Sequence, residues 1–143
     1  MNKEPFVIGR TYNAPNENVW KAISDADTMK QWYFDVPEFK PEVGLEFGFT
    51  VHSKGREYVH LCKVTEVVPG KKLSYSWRYK GEEGNSIVTF ELFDEGENTR
   101  LKLTHTGLET FPPVADFART NFEGGWNQII GTDLKNFLEP QTV

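Results

Sequence analysis

An amphipathic segment near the carboxyl end of the chain, at residues 116–138, constrains the fold more than any other feature of the sequence. Its large apolar residues recur at intervals of three and four, which places them along one face of a helix. These residues are Phe122, Trp126, Ile129, Ile130, Leu134, Phe137 and Leu138. Because nearly everything upstream has the pattern of strands, we predict a long C-terminal helix that lies across a sheet with its apolar face inward.

Three glycines interrupt this predicted helix, at Gly124, Gly125 and Gly131. Each costs about 1 kcal/mol relative to alanine in a helix interior. The pair Gly124-Gly125 favours a break in the helix before Trp126. The alternative is that a strand or a ligand comes close to the helix backbone at this point.

The apolar residues follow a period of 2 between residues 45 and 105, which is typical of half-buried strands. Short turns that contain glycine or asparagine separate five predicted strands, at residues 45–51, 57–68, 73–79, 87–93 and 101–105. Turns this short join antiparallel neighbours. A first strand at residues 6–12 and two short helices precede them, and the second helix begins at a cap formed by Asp25 or Asp27. We therefore predict a single α+β domain over residues 1–143, with a curved antiparallel sheet of about six strands around the C-terminal helix.

Composition and charge exclude several classes of protein. The chain has 143 residues and a formal net charge of −5, which argues against nucleic acid as the main partner. The single cysteine excludes an internal disulfide and a cysteine-rich metal site. The sequence contains neither the apolar core of a signal peptide nor an apolar run of membrane-spanning length. We therefore expect a cytoplasmic protein without membrane insertion.

Four segments in order resemble the family of activator of heat-shock protein 90 ATPase homologue-like proteins. They are AP…VWKAI…M…W from Ala14, VTEVVP…LSYSW from Val64, TRLKLTH from Thr99 and GW…L…FLE from Gly125. The resemblance covers residues 6–139 and implies the helix-grip (START-like) fold of the larger superfamily. It implies a deep hydrophobic cavity between the sheet and the long helix, and no single activity, because members bind lipids, flavonoids, polyketides or no known ligand. Members that stimulate the chaperone ATPase also have an amino-terminal domain to which nothing in these residues corresponds, so the family name is not taken as the function.

The resemblance identifies the inward-facing residues as a candidate cavity wall. These are Trp32, Phe34, Phe47, Phe49, His60, Cys62, Tyr75, Trp77, Phe90, Leu103, His105, Phe122, Trp126 and Ile130. Aromatic residues at these periods also fill ordinary cores, so a ligand-contacting wall and plain core packing both remain open for Tyr75, Trp77 and Trp126.

His60, Cys62 and His105 raise the question of chemistry. Two histidines and a thiol could bind a metal, but no carboxylate pairs with them in the strand pattern, which favours hydrogen-bonded core or cavity-wall residues. A cysteine–histidine nucleophile pair would need an orienting acid, and the pattern supplies none. We therefore expect no metal, no cofactor and no assigned catalytic residue.

Three functions follow from this pattern. The first is the binding of an apolar or aromatic small molecule, such as a lipid, flavonoid or polyketide-like ring, in the cavity. The alternatives are an enzyme of the cyclase or hydrolase kind that uses polar residues of the cavity, and a co-chaperone-like domain that binds a protein partner.

Overall fold

The computed structural model describes residues 4–33, 35–53, 55–112 and 119–139. An antiparallel sheet, two short helices and a C-terminal helix make up this part of the chain, which confirms the predicted α+β fold. The strands are β1 (Phe6–Tyr12), β2 (Glu46–Ser53), β3 (Arg56–Val68), β4 (Lys72–Tyr79), β5 (Ser86–Glu95) and β6 (Asn98–Thr106). The helices are α1 (Asn16–Ser24), α2 (Ala26–Trp32), a 3₁₀ turn (Leu108–Thr110), α3 (Arg119–Gln128), a π-helical turn (Ile129–Asp133) and α4 (Leu134–Leu138).

The six strands pair in the order β1-β6-β5-β4-β3-β2, so β1 and β2 form the two edges of the sheet. Every pair is antiparallel, as the short turns predict. Residues that pair across strands lie on the same face, and the large apolar residues of β2 to β6 therefore gather on one face. We call this the inner face. A β-bulge between Val64 and Glu66 shifts the register of β3 on β4 and lies beside the tight turn that follows β3.

The two short helices meet at Asp25. Its carboxylate accepts hydrogen bonds from the backbone N–H of Thr28 at 3.1 Å and from the Thr28 hydroxyl at 2.6 Å. A carboxylate at this position satisfies amide groups at the start of a helix that have no partner within the helix. Asp25 thus follows the last residue of α1 and caps α2. Of the two residues predicted as the cap, Asp25 and Asp27, the structure confirms Asp25.

The C-terminal helix is continuous from Arg119 to Leu138, because the residues on either side of the π-helical turn keep right-handed helical backbone angles. The predicted break before Trp126 is wrong, since α3 runs through Gly124 and Gly125. Both glycines face solvent, and a Cβ added to either would meet nothing within 4 Å, so no strand approaches there. The predicted start of this helix at residue 116 lies outside the described residues.

The irregular turn of this helix instead begins at Ile129 and includes Gly131. In this wider turn the backbone N–H of Leu134 bonds to the carbonyl of Ile129. The hydroxyl of Tyr12 on β1 donates to the carbonyl of Ile130 at 2.5 Å, which ties the turn to the sheet.

The core lies between the inner face and the apolar side of the C-terminal helix. Trp126, Ile130 and Leu134 are at most 3% exposed, which confirms the predicted orientation of the helix. Within the described residues, no helix combines the length and the apolar composition needed to cross a membrane.

Truncation of inner-face side chains tests this arrangement. Phe90→Ala and Leu103→Ala should each lower the free energy of unfolding by about 2–5 kcal/mol, because both side chains are fully packed. Chemical denaturation measures the loss. Phe93→Ala, on the outer face of β5 and 37% exposed, is the matched control and should cost about 1 kcal/mol or less. Equal losses at Phe90 and Phe93 would contradict the assignment of the two faces.

Candidate functional site

The strand register aligns the aromatic residues of the inner face into rows. One row joins Phe49, His60 and Tyr79, and the next joins Phe47, Cys62, Trp77 and Ser86. A third row joins Val64, Tyr75, Val88 and His105. Because each member is an alternate residue of its strand, the period-2 pattern of the sequence produces these rows directly.

The C-terminal helix packs against these rows on the inner face of the sheet. Trp126 contacts both Trp77, with ring centroids 5.5 Å apart, and Phe90, with centroids 6.2 Å apart. Phe122, one turn earlier, stacks on Phe111 at 5.6 Å and 12° between the ring planes. Offset and edge-to-face contacts of this kind are the favoured geometries of aromatic pairs.

A chain of hydrogen bonds links this helix to the sheet through His105. The indole N–H of Trp126 donates to His105 Nδ1 at 2.9 Å. His105 Nε2 and Ser86 Oγ are 2.8 Å apart, and Ser86 Oγ donates to the carbonyl of Trp77 at 2.7 Å. Because an indole N–H can only donate, Nδ1 must accept and the imidazole proton must lie on Nε2.

This arrangement determines what His105 can do. The distance between Ser86 and His105 is that of a nucleophile–base pair. However, the Ser86 hydroxyl donates its proton to the Trp77 carbonyl, and His105 Nε2 already carries a proton and cannot accept one from the serine. Trp126 occupies the position that an orienting carboxylate takes in such a pair. Burial also lowers the pKa of His105 from 6.5 to about 3, so the ring is neutral at pH 7. His105 is therefore a structural link, and it is not positioned as a general base.

A second polar group lies beneath the end of α2. The hydroxyls of Tyr33 and Tyr75 are 2.9 Å apart, and the indole N–H of Trp77 donates to the hydroxyl of Tyr79 at 2.9 Å. Burial raises the pKa of Tyr79 to about 12 and holds those of Tyr33 and Tyr75 well above 10. The buried Cys62 side chain lies on the same face, in the row between those of Tyr79 and Tyr75. Burial raises its own pKa to about 12.

His60 lies in the outermost row. Its ring stacks on Phe49 with centroids 4.3 Å apart, and its Nδ1 lies 3.0 Å from the carbonyl oxygen of Tyr58. A carbonyl only accepts, so Nδ1 carries the proton. Burial lowers the pKa of His60 to about 4. Among the described residues, no three His, Cys, Asp or Glu side chains come close enough together to hold a metal ion.

The side chains of the interior differ in their residual exposure to solvent. Val88, Leu103 and Leu134 are completely buried at 0% exposure. Phe49 and Phe122 are 9% exposed, and Tyr33 is half-buried. The outermost row, together with the end of α2 and the first turns of α3, therefore forms the rim of the interior.

The structure places the predicted wall residues as follows. Twelve are buried on the inner face or on the facing side of the C-terminal helix, and Trp32 is partly buried at the end of α2. Phe34 lies outside the described residues. Whether any of them contacts a ligand stays a prediction.

The predicted cavity wall left out Tyr33, Tyr79 and Phe111, which also border this interior. The period-2 pattern of β4 does place Tyr79 on the same face as Tyr75 and Trp77. Tyr33 and Phe111 lie outside the strands, where periodicity gives no direction for a side chain.

An open groove of about 530 Å³ runs along β2, β3 and β4, and its lining includes two residues of the inner-face rows, Phe47 and Cys62. The polar residues of the lining carry charges of both signs. It is lined by Glu38, Glu46, Phe47, Gly48, Leu61, Cys62, Lys63, Ser76, Arg78 and Asn85. It does not include the tyrosine hydroxyls of the inner face.

Comparisons with known proteins agree with this architecture. The model of a protein family described as activator of Hsp90 ATPase homolog 1-like protein matches residues 13–139. No curated protein sequence gave a significant match.

Several solved structures are similar to this chain. Protein Mll3558 from Rhizobium loti is 25% identical with a TM-score of 0.82, and the match covers 94% of this chain and 96% of that one. Protein MLL2253 from Mesorhizobium loti is 28% identical with a TM-score of 0.77, and the match covers 98% of this chain and 100% of that one. An Hsp90 activator from Plasmodium falciparum, PFC0360w, is 24% identical with a TM-score of 0.67, over 93% and 92% of the two chains. This last likeness shows the fold alone.

The buried histidines predict a specific loss of stability in acid. The unfolded chain binds a proton on each imidazole near pH 6.5, whereas the folded chain binds them only near pH 3 to 4. The unfolded state therefore binds more protons between these values, and the free energy of unfolding falls as the pH falls. From pH 6.5 to 4.5 each histidine should contribute a loss of about 2–3 kcal/mol.

Denaturation at a series of pH values measures this loss. His105→Asn should remove its share of the fall, while His52→Asn, at an exposed position, is the matched control and should keep the fall of the wild type. NMR titration of the wild-type imidazoles gives a second test, in which the signals of His60 and His105 should not move between pH 5 and 8. A His105 signal that titrates near pH 6.5 would contradict the prediction.

Proposed function

We propose that this chain, which belongs to the family of activator of Hsp90 ATPase homolog 1-like proteins, binds an apolar or aromatic small molecule between its sheet and its C-terminal helix. The observation that carries the proposal is the composition of the inner face near its rim. There, aromatic rings surround a small group of polar tips, those of Tyr33, Tyr75, Tyr79 and Cys62. Sites for small molecules usually have such a mainly apolar wall with a few polar groups that orient the ligand.

The edge of the interior supports the same proposal. Phe49 is 9% exposed, and its ring lies 6.5 Å from that of Tyr33, which is half-buried. A ligand that enters at this edge would not have to separate completely buried side chains such as Leu103 and Leu134.

The cyclase or hydrolase alternative receives less support from the described residues. His105 makes both of its ring hydrogen bonds within the core, and the buried thiol of Cys62 is protonated at pH 7 because burial raises its pKa to about 12. A protonated thiol is a poor nucleophile. The co-chaperone alternative has no observation in its favour beyond a fold that is shared at 24% identity.

Ligand titration tests the proposal. Flavonoids or polyketide-like rings should quench tryptophan fluorescence saturably, because Trp77 and Trp126 pack against each other in the interior. Micromolar affinity corresponds to a net binding free energy of about 8 kcal/mol, so the gross contribution of the buried apolar ligand surface, at about 25 cal/mol per Å², must exceed this value by the cost of association. Absence of saturable quenching by every class of ligand, with the fold intact, would remove the support for this function.

Matched variants locate the site. Val88→Phe adds a ring to the inner face at a completely buried position and should abolish binding, at a cost of about 1–3 kcal/mol in stability. If it does not fold, Cys62→Met is a milder way to fill the same face, because methionine adapts its shape. Gly125→Leu is the control. Its side chain would enter open space on the outer side of the helix, so binding should persist, and its loss would place the ligand elsewhere.

A further inference from the structure

We infer that the open groove along β2, β3 and β4 is a second binding site and that its ligand is a small zwitterion. Such a molecule has an ammonium group at one end and an anionic group, such as a carboxylate, at the other. This site is distinct from the proposed ligand site between the sheet and the C-terminal helix, so the two proposals stand independently of each other.

The charges of the groove carry this inference. Its lining contains two acidic and two basic side chains, and the rest of the lining is neutral. The acids are Glu38 and Glu46, and the bases are Lys63 and Arg78. Because these charges cancel, a ligand with an excess of either sign gains no net attraction from the groove. A ligand with one charge of each sign can pair with both parts of the lining.

The register of the sheet separates the two signs. Glu46 on β2 is opposite Lys63 on β3, and Arg78 lies on β4 opposite Leu61. Each of these residues is next in the chain to a residue of the inner-face rows, so its side chain lies on the opposite, outer face of the sheet. The acidic end of the groove is therefore at the edge strand β2, and the basic end is toward the centre of the sheet. Strands are about 4.8 Å apart, so β2 and β4 are separated by roughly 10 Å.

The two bases lie near each other without an acidic partner. Lys63 is opposite Ser76, and Arg78 is two residues further along β4, so the bases are diagonal neighbours on one face. Neither base forms an ion pair with any residue that the structure describes, although Glu46 is directly opposite Lys63. Like charges at this spacing repel each other, and an anionic group between them would relieve the repulsion.

The acidic end is positioned by the segment between α2 and β2. Phe39 in this segment is buried and meets Phe47 edge-on, with ring centroids 5.0 Å apart. The adjacent Glu38 accepts a hydrogen bond from the backbone N–H of Gly48 at 3.3 Å. A carboxylate has about four acceptor sites, so Glu38 can bind an ammonium group while it keeps this bond.

The middle of the groove has room for the body of such a ligand. Gly48 adds no side chain to the outer face, because a Cβ at this position would meet the carbonyl oxygen of His60 at 2.7 Å. Leu61 lies opposite Gly48 and gives the lining a half-buried apolar side chain. The volume of about 530 Å³ is in the range of sites for small molecules. An alkyl chain on Leu61 would join an ammonium group at β2 to an anionic group near β4.

Three compounds with the same alkyl length test the inference. 6-Aminohexanoate carries both charges, hexanoate only the negative one and hexylamine only the positive one. In NMR titrations of isotope-labelled protein at pH 7.5 and low salt, the zwitterion should bind in the millimolar range. Its affinity should be about three- to tenfold higher than that of either singly charged compound. The amide signals of Gly48, Leu61 and Lys63 should shift, and added salt should weaken the binding.

Variants that remove charge assign the two ends of the ligand. In the double variant Lys63→Gln and Arg78→Gln, the preference for the zwitterion over hexylamine should fall to about one, because the carboxylate loses both partners. In the double variant Glu38→Gln and Glu46→Gln, the preference over hexanoate should fall in the same way. The spectrum of each variant also shows whether it is folded.

The matched control is the double variant Glu91→Gln and Lys102→Gln. These residues are opposite each other on β5 and β6 and are also an acid and a base, but neither lines the groove. Both preferences should stay those of the wild type in this variant.

The inference fails if the three compounds bind equally or if none gives saturable shifts. Shifts confined to amides outside the groove, or a preference for the zwitterion that persists in both groove variants, would also overturn it. Quenching by apolar ligands measures the interior separately, so these outcomes leave the proposed function unchanged.

Discussion

Contact between one apolar face of the C-terminal helix and the inner face of the sheet is the constraint on which the rest of the structure depends. Trp126 lies at the centre of this contact, where it packs on Trp77 and Phe90 and donates a hydrogen bond to His105. A buried indole N–H without a partner would be costly, and so would a buried imidazole. The two groups satisfy each other, and the pairing holds the helix at one position along the sheet.

The same pairing limits the chemistry of the protein. An imidazole whose Nδ1 accepts from an indole and whose Nε2 contacts a buried serine has no ring nitrogen left to exchange protons with a substrate. The interior contains a serine, a cysteine and two histidines, residue types that are common in catalytic sites. In the folded chain these four side chains are buried and neutral. Burial without charged partners favours the neutral form of each of these groups.

The interior contains completely buried side chains, such as Leu103 and Leu134, and an edge with residual exposure. The phenols of Tyr33 and Tyr79 lie toward the rim, among rings with residual exposure. A ligand bound at this edge, as proposed, would leave the completely buried side chains in place.

The sequence by itself determined the strands, the helix and the face each presents, because periods of 2 and of three to four fix which residues share a side. It also determined that Trp126, Ile130 and Leu134 face the sheet. It could not place Tyr33, which follows α2 in an irregular segment, or predict that its hydroxyl meets that of Tyr75. It also predicted a break at Gly124-Gly125, where the structure has an unbroken helix with exposed glycines, since packing of the opposite face outweighs the weak propensity of two residues. Hydrogen bonds between residues far apart in sequence, such as Trp126 to His105, arise only when the helix and the sheet meet, so the tertiary structure alone decided which polar groups are satisfied in the core.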